Sequence, residues 1–170
     1  MGEFPIAHIE TSQVLAYYMI NIPDITLHDF QPTDQTAVKD LILAGLVEHW
    51  GTLDPSKNPD LDDISCSYAG AVFLVAHCQG QIIGTGALVP RQDGTAEVVR
   101  MSVAQDWRRR GIGRTILHAL VERARQSGFQ RIILETTATW QEVIAFYLRL
   151  GFRITHYKDG DVYFELTLVE

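Results

Sequence analysis

The stretch Glu97 to Arg114 reads EVVRMSVAQDWRRRGIGR, and the order of its parts decides the fold. Val98-Val99-Arg100-Met101-Ser102-Val103 is apolar and rich in β-branched residues, which predicts a strand. The run breaks at Gln105-Asp106 and passes into Arg108-Arg109-Arg110-Gly111-Ile112-Gly113. Ile112, Ile116, Leu117, Leu120, Val121 and Ala124 then recur at helical spacing. A strand, a basic glycine-containing turn and a helix therefore follow one another directly. Such a turn aims backbone N–H groups at one spot, and the helix adds its positive end. That spot suits an anion, most naturally a phosphate, and glycine lets it approach the backbone. The turn has no Gly-Lys-Ser/Thr and lacks the glycine spacing of a dinucleotide fingerprint, so neither of those phosphate sites is indicated.

Outward from this stretch, the pattern alternates between strands and helices. Toward the N-terminus, Ala71–Cys78 and Gln81–Val89 read as two strands joined at Gln79-Gly80. With the Glu97 strand they predict an antiparallel meander. Ile25–Phe30 predicts a first strand, and Pro32-Thr33-Asp34 a helix start. Ala37, Val38, Leu41, Ile42, Gly45, Leu46 and Trp50 continue that helix. Gly51 to Asp63 is a long polar connection, with room for a second short helix. Toward the C-terminus, the helix from Gly113 stops near Ser127-Gly128, and Arg131–Thr137 predicts a fifth strand. Strand, helix, strand implies a right-handed parallel crossover. Trp140–Leu150 predicts a further helix, and Lys158-Asp159-Gly160-Asp161 turns a terminal hairpin of Phe152–Tyr157 and Val162–Leu168. The prediction is an α/β protein with a mixed sheet, antiparallel at first and then parallel across one crossover. Residues 1–24 read as an N-terminal extension or arm, and 25–170 as one domain.

Composition narrows the function. The chain has 170 residues, 46% of them apolar and 21% charged, as expected of one globular domain. A net charge of −7 argues against general nucleic-acid binding. Arg108, Arg109, Arg110 and Arg114 instead form a local cationic cluster on an acidic protein, which fits a small anionic ligand. No apolar run reaches the length of a membrane span, and no signal peptide is evident. Cys66 and Cys78 have no metal-ligand spacing and are too few for a disulfide framework, so reduced thiols and a cytoplasmic location are expected.

The pattern Arg108-x-x-Gly111-x-Gly113 after a Val-containing strand resembles the acetyl-CoA loop of the GNAT superfamily of N-acetyltransferases. A second segment, Tyr147-Leu148-Arg149-Leu150-Gly151-Phe152, resembles the Tyr-x-x-x-Gly-Phe signature of that family. The two occur in the family's order, and the resemblance covers nearly all of the chain beyond the N-terminal segment. It implies the GNAT acyl-CoA N-acyltransferase fold. It implies further that the backbone N–H groups of Arg109, Arg110, Gly111, Ile112, Gly113 and Arg114 hold the CoA pyrophosphate, with Arg108 in the motif's first position. The strand residues Met101, Ser102 and Val103 would pair with the pantetheine arm, with one N–H polarising the thioester carbonyl. Tyr147 would donate a proton to the departing thiolate, and Glu97 stands where some members carry a general-base glutamate. Trp140 departs from the family, many of whose members have an Asn there that touches the CoA arm.

The chemistry implied is direct transfer of an acetyl group from acetyl-CoA to a primary amine, with no metal required. The acceptor is either a small amine or a protein amine. Asp60, Asp62 and Asp63 tilt the expectation toward a small cationic one. A binder of acyl-CoA without turnover, acting as a sensor or partner-binding module, is the alternative. A homodimer completed by the N-terminal arm or the terminal hairpin is a further expectation. His49 and Trp50 fall at the end of a substrate-facing helix, and His118 on the surface of the Gly113 helix.

Overall fold

The computed structural model describes residues 24–168. The arm expected over residues 1–24 lies almost wholly outside the described residues. Seven strands form one sheet: β1 (Ile25–Asp29), β2 (Val72–Cys78), β3 (Gln81–Pro90), β4 (Thr95–Val103), β5 (Arg131–Thr137), β6 (Arg153–Lys158) and β7 (Asp161–Thr167). Their order is β1-β2-β3-β4-β5-β7-β6. All neighbours are antiparallel except β4 and β5. Among the described residues four α-helices complete the fold: α1 (Gln35–Trp50), α2 (Ile64–Ser67), α3 (Ile112–Gln126) and α4 (Gln141–Arg149). The second short helix expected within the Gly51–Asp63 connection falls just beyond it, as α2. The connection itself is built of two 3₁₀ turns, Pro55–Lys57 and Pro59–Leu61.

Both faces of the sheet are buried, because β2 and β3 are apolar at successive positions rather than alternate ones. On one face, Phe73, Val75 and Ala87 pack against Val38 and Ile42 of α1 and Ile64 of α2. On the other, Leu74, Ala76, Leu88, Ala96 and Val98 pack against α3 and α4. The one strongly amphipathic stripe of α3, Ile116-Leu117-Leu120-Ala124, is fully buried there. This helix lies directly on the β3 backbone. A Cβ at Gly86 would stand 2.6 Å from Met101 Sδ and 2.7 Å from Ile116 Cγ2. The close approach fixes where the N-terminus of α3 emerges relative to the end of β4.

Two features of β4 shape the molecule. Its parallel pairing with β5 covers only Thr95–Glu97 against Arg131–Ile133. Beyond Glu97 the two strands separate, while β5 remains paired to β7 as far as Thr137. The second feature is a bulge: the β3–β4 register shifts between Thr85 and Ala87, which face Ser102 and Val99. Arg100 sits at the bulge with φ of 54°. Thr85, wholly buried, donates its hydroxyl to the Arg100 carbonyl at 2.9 Å. A bulge bends and twists its strand, which turns β4 away from β5. Among the described residues, no helix is long and apolar enough to cross a membrane. Cys66 is exposed, Cys78 is buried, and both are free thiols.

Candidate active site

β4 and β5 part beyond Glu97, and Met101–Val103 follow on the parted stretch. These three residues lie on the part of β4 that has no β5 partner. The strand then runs through a 3₁₀ turn at Gln105–Trp107 into the basic turn and α3.

The turn presents backbone more than side chains. Gly111 caps α3 with φ of 85° and ψ of −1°, and no side chain caps the helix. No acidic residue lies in its first turn either. The amides of Ile112, Gly113 and Arg114 thus belong to the turn whose N–H groups have no intrahelical acceptor. A Cβ at Gly111 would meet nothing within 4 Å, and one at Gly113 would make only ordinary contacts of 3.6 Å with Phe146 and Val103. The protein's own packing therefore does not demand glycine at position 113. A ligand lying against the backbone there would.

The arginines divide by partner. Arg108 donates to the Val103 carbonyl at 3.0 Å and pairs with Glu48 of α1 at 2.7 Å. Arg109 pairs with Glu142 of α4 at 2.9 Å in full solvent exposure. The two ion pairs tie the turn to the ends of two helices, one on each face of the sheet. Arg110 lies over the Trp107 ring, 5.1 Å from its centroid. Arg114 is exposed on the first turn of α3. His49 and Trp140 meet with ring centroids 4.0 Å apart, so the C-terminus of α1 touches the N-terminal end of α4.

Tyr147 is buried on α4, only 6% exposed, among Phe146, Phe152 and Phe164. Burial pushes its phenol well above the ordinary tyrosine range. Glu97 is half-buried and held by Arg91, whose Nε donates to Oε2 at 2.6 Å. Both guanidinium contacts fall on Oε2, leaving Oε1 without a partner among the described residues. Arg91, just past β3, is thus the residue that orients Glu97, and nothing in the local sequence marks it.

Sequence reading also missed the network opposite the bulge. Arg100 donates from Nε to Asp60 at 2.9 Å and from Nη1 to Asn58 at 3.0 Å, while Tyr68 donates its hydroxyl to Asp60 at 2.6 Å. Burial alone would raise the Asp60 carboxyl, but the hydrogen bonds from Arg100 and Tyr68 outweigh it and hold Asp60 below its usual range. Burial, with the Asp60 hydrogen bond, pushes the Tyr68 phenol up to about 12. The acidic connection is accounted for in the same way. Asp62 pairs with Lys39 at 2.7 Å, and Asp63 caps α2 by accepting from the Cys66 amide at 2.9 Å. The three carboxylates that favoured a cationic acceptor are all engaged within the protein.

Comparison with known proteins follows this geometry. Residues 36–152 match the family model described as Acetyltransferase (GNAT) family. The chain belongs to that acetyltransferase family, with the mixed sheet and the parallel β4–β5 pair that its solved structures share. It is 32% identical over 108 residues to an uncharacterized N-acetyltransferase, YjgM, of Escherichia coli, a match covering 61% of this chain and 65% of that protein. The matched stretch is thus less than two thirds of YjgM's own length. It is 30% identical to IAA acetyltransferase of Azospirillum brasilense over 133 residues, which cover 77% of this chain and 86% of the other. The structure superimposes on PaiA N-acetyltransferase of Thermoplasma acidophilum, solved in complex with coenzyme A. The TM-score is 0.75 at 16% identity, with 85% of this chain and 99% of that one covered.

Proposed function

We propose that this chain transfers the acetyl group of acetyl-CoA directly to a primary amine. The observation that carries the reading is the junction of an uncapped α3 N-terminus, through Gly111 and Gly113, with the unpaired edge of β4. The first-turn amides, with Arg110 and Arg114, would hold the pyrophosphate. Met101, Ser102 and Val103 would offer their backbone to the pantetheine arm, and an N–H among them would polarise the thioester carbonyl.

An alkylamine, with a pKa of about 10, arrives protonated and must lose a proton before it attacks. Glu97 Oε1 is the acceptor for that proton, directly or through one water, while Arg91 fixes the carboxylate through Oε2. Tyr147 stays protonated at every physiological pH because burial raises it. A thiol of pKa about 8.5 is the stronger acid of the two. Tyr147 therefore stabilises the leaving thiolate by donating a hydrogen bond, without surrendering its proton outright. Positioning of donor and acceptor supplies the rest of the rate. With Asp60, Asp62 and Asp63 internally paired, the structure lends no weight to a cationic small molecule over a protein amine.

The test is release of free thiol from acetyl-CoA across a panel of amines, with CoA binding titrated by calorimetry in parallel. Release that depends on one class of amine supports the reading and names the acceptor. Absence of CoA binding overturns it. Tight CoA binding without release for any small or peptide amine favours a sensor.

A further inference from the structure

Three residues from three separate elements meet at the opposite end of α1 from the basic turn. His28 lies on β1, His77 on β2, and Asp34 ends the 3₁₀ turn Pro32–Asp34 that leads into α1. The two imidazole rings stand 4.4 Å apart, centroid to centroid. His28 Nε2 is 3.2 Å from Asp34 Oδ2, and His77 Nε2 is 3.9 Å from Asp34 Oδ1. The three donor atoms lie within 4.8 Å of one another. Asp34 is only 8% exposed and is held in place by the Gln31 amide, which donates to Oδ2 at 2.8 Å.

An ordinary hydrogen-bonded cluster does not explain the arrangement. His77 Nε2 is buried and has no hydrogen-bond partner among the described residues, whichever tautomer is drawn. At 3.9 Å from the carboxylate it is too distant for a hydrogen bond. Leaving such a buried group unsatisfied is unfavourable. Two ligands of one tetrahedral ion, each bonded at ~2.0–2.1 Å, stand ~3.3 Å apart. The His28–Asp34 pair, at 3.2 Å, has about that spacing, and the His77–Asp34 pair, at 3.9 Å, lies somewhat beyond it.

The surroundings suit a cation. A cavity of about 590 Å³ opens beside the cluster, lined by Asp34, His77, Thr33, Gln105 and Asp106 among others. Its lining carries two carboxylates and neither lysine nor arginine. It provides a path for an ion and space for water as a remaining ligand. The backbone contact to Asp34 is the kind of outer support that orients metal ligands.

We propose that His28, Asp34 and His77 bind one divalent transition-metal ion, with water from the adjacent cavity completing its coordination. Two imidazoles and one carboxylate suit Zn²⁺, Co²⁺ or Ni²⁺, and not Mg²⁺ or Ca²⁺, which take oxygen ligands. The ion would join β1, β2 and the start of α1. It takes no part in acyl transfer as described above, and the proposal stands or falls separately from that activity.

The experiment uses the full chain, stripped with a chelator. Zn²⁺ binding is measured by calorimetry, and Co²⁺ by its visible d–d absorption, which is intense only in a low-coordinate protein site. The expected result is one ion per chain for the unmodified protein. His28→Gln and His77→Gln should each weaken binding by at least about 100-fold, the upper end of what loss of an outer-shell partner does. His156→Gln, an exposed residue stacked on Tyr163, should bind as the unmodified protein does. Circular dichroism of each variant checks that it is folded. Absence of saturable binding by the unmodified protein overturns the site. Binding that survives either of the His28 and His77 substitutions overturns it as well.

Discussion

Gly113→Ala separates a ligand-shaped glycine from a structural one, because its effects on stability and on binding have opposite signs. Position 113 lies in the first turn of α3, where no positive φ demands glycine. A Cβ there would touch Phe146 and Val103 at 3.6 Å, ordinary van der Waals contact. Alanine favours a helix over glycine by up to about 1 kcal/mol. The free protein should therefore be more stable by up to that amount, a rise in Tm of about 2–4 °C for a chain of this size. On the proposed placement of the pyrophosphate, the same methyl group would also crowd its approach to the amides. Loss of one hydrogen bond to a charged group is worth about 1.5–3 kcal/mol, or roughly a 10- to 150-fold weaker CoA Kd. Gly111→Ala is the counterpart. Its φ of 85° strains any L-residue by about 1–2 kcal/mol, so the free protein should be destabilised although the Cβ meets nothing. Scanning calorimetry and CoA titration of both variants supply the four quantities needed. A Gly113→Ala protein with raised Tm and unchanged CoA affinity would refute the placement of the pyrophosphate on this turn.

Tyr147→Phe should leave folding stability and CoA affinity nearly unchanged, since no hydroxyl partner is present among the described residues, yet lower kcat by up to about 10²-fold. Unchanged turnover, with the chemical step limiting, would make Tyr147 a packing residue. Glu97→Gln should reduce kcat/KM by about 10²–10⁴-fold at neutral pH with CoA affinity retained. Its rate should recover as pH rises toward the amine pKa, and a flat profile would remove Glu97 from the reaction. For Asp60, the folded pKa is depressed, so its pairing stabilises the protein above the unfolded value of about 3.9 and is lost as pH falls through the folded value. Asp60→Asn should therefore be less stable than the unmodified protein at pH 7, with the gap closing on acidification below about pH 4; urea unfolding between pH 3 and 7 measures it, and a pH-independent gap would contradict the assignment. Thr85→Val strips the buried donor from the Arg100 carbonyl and should destabilise by about 1–3 kcal/mol, while Thr85→Ser, which keeps the hydroxyl, should be milder.

Much of this fold could be read from periodicity, and the reasons for the exceptions are physical. The strands and helices from Ile25 to Thr167 follow the order expected, because apolar spacing reports which face of an element is buried. The insertion of β7 between β5 and β6 was not legible, since a hairpin's own turn does not say which of its strands pairs outward. The basic turn and Tyr147 carry local patterns, which is why the sequence singles them out. Asp60, Asp62 and Asp63 looked like a free acidic patch because their partners Arg100, Lys39 and the Cys66 amide are set by tertiary contact. Arg91, Thr85 and the His28–Asp34–His77 cluster have no signal at any fixed spacing.

The parting of β4 from β5 goes with one residue too many in β4. A regular strand would remain paired with β5 to its end, and its edge would have no backbone to offer a ligand. The extra residue places Arg100 in the left-handed region, where a β-substituted residue costs about 1–2 kcal/mol. Hydrogen bonds to the backbone and to the side chain of Arg100 offset that strain. Thr85 satisfies the carbonyl from the β3 side, and Asp60 and Asn58 hold the guanidinium from the connection between α1 and α2. The same bend that parts β4 from β5 therefore also pins the connection over one face of the sheet. Separation of the strands and placement of the connection are thus coupled through a single side chain. A change at Arg100 should disturb both the β4 edge and the connection held through Asn58 and Asp60.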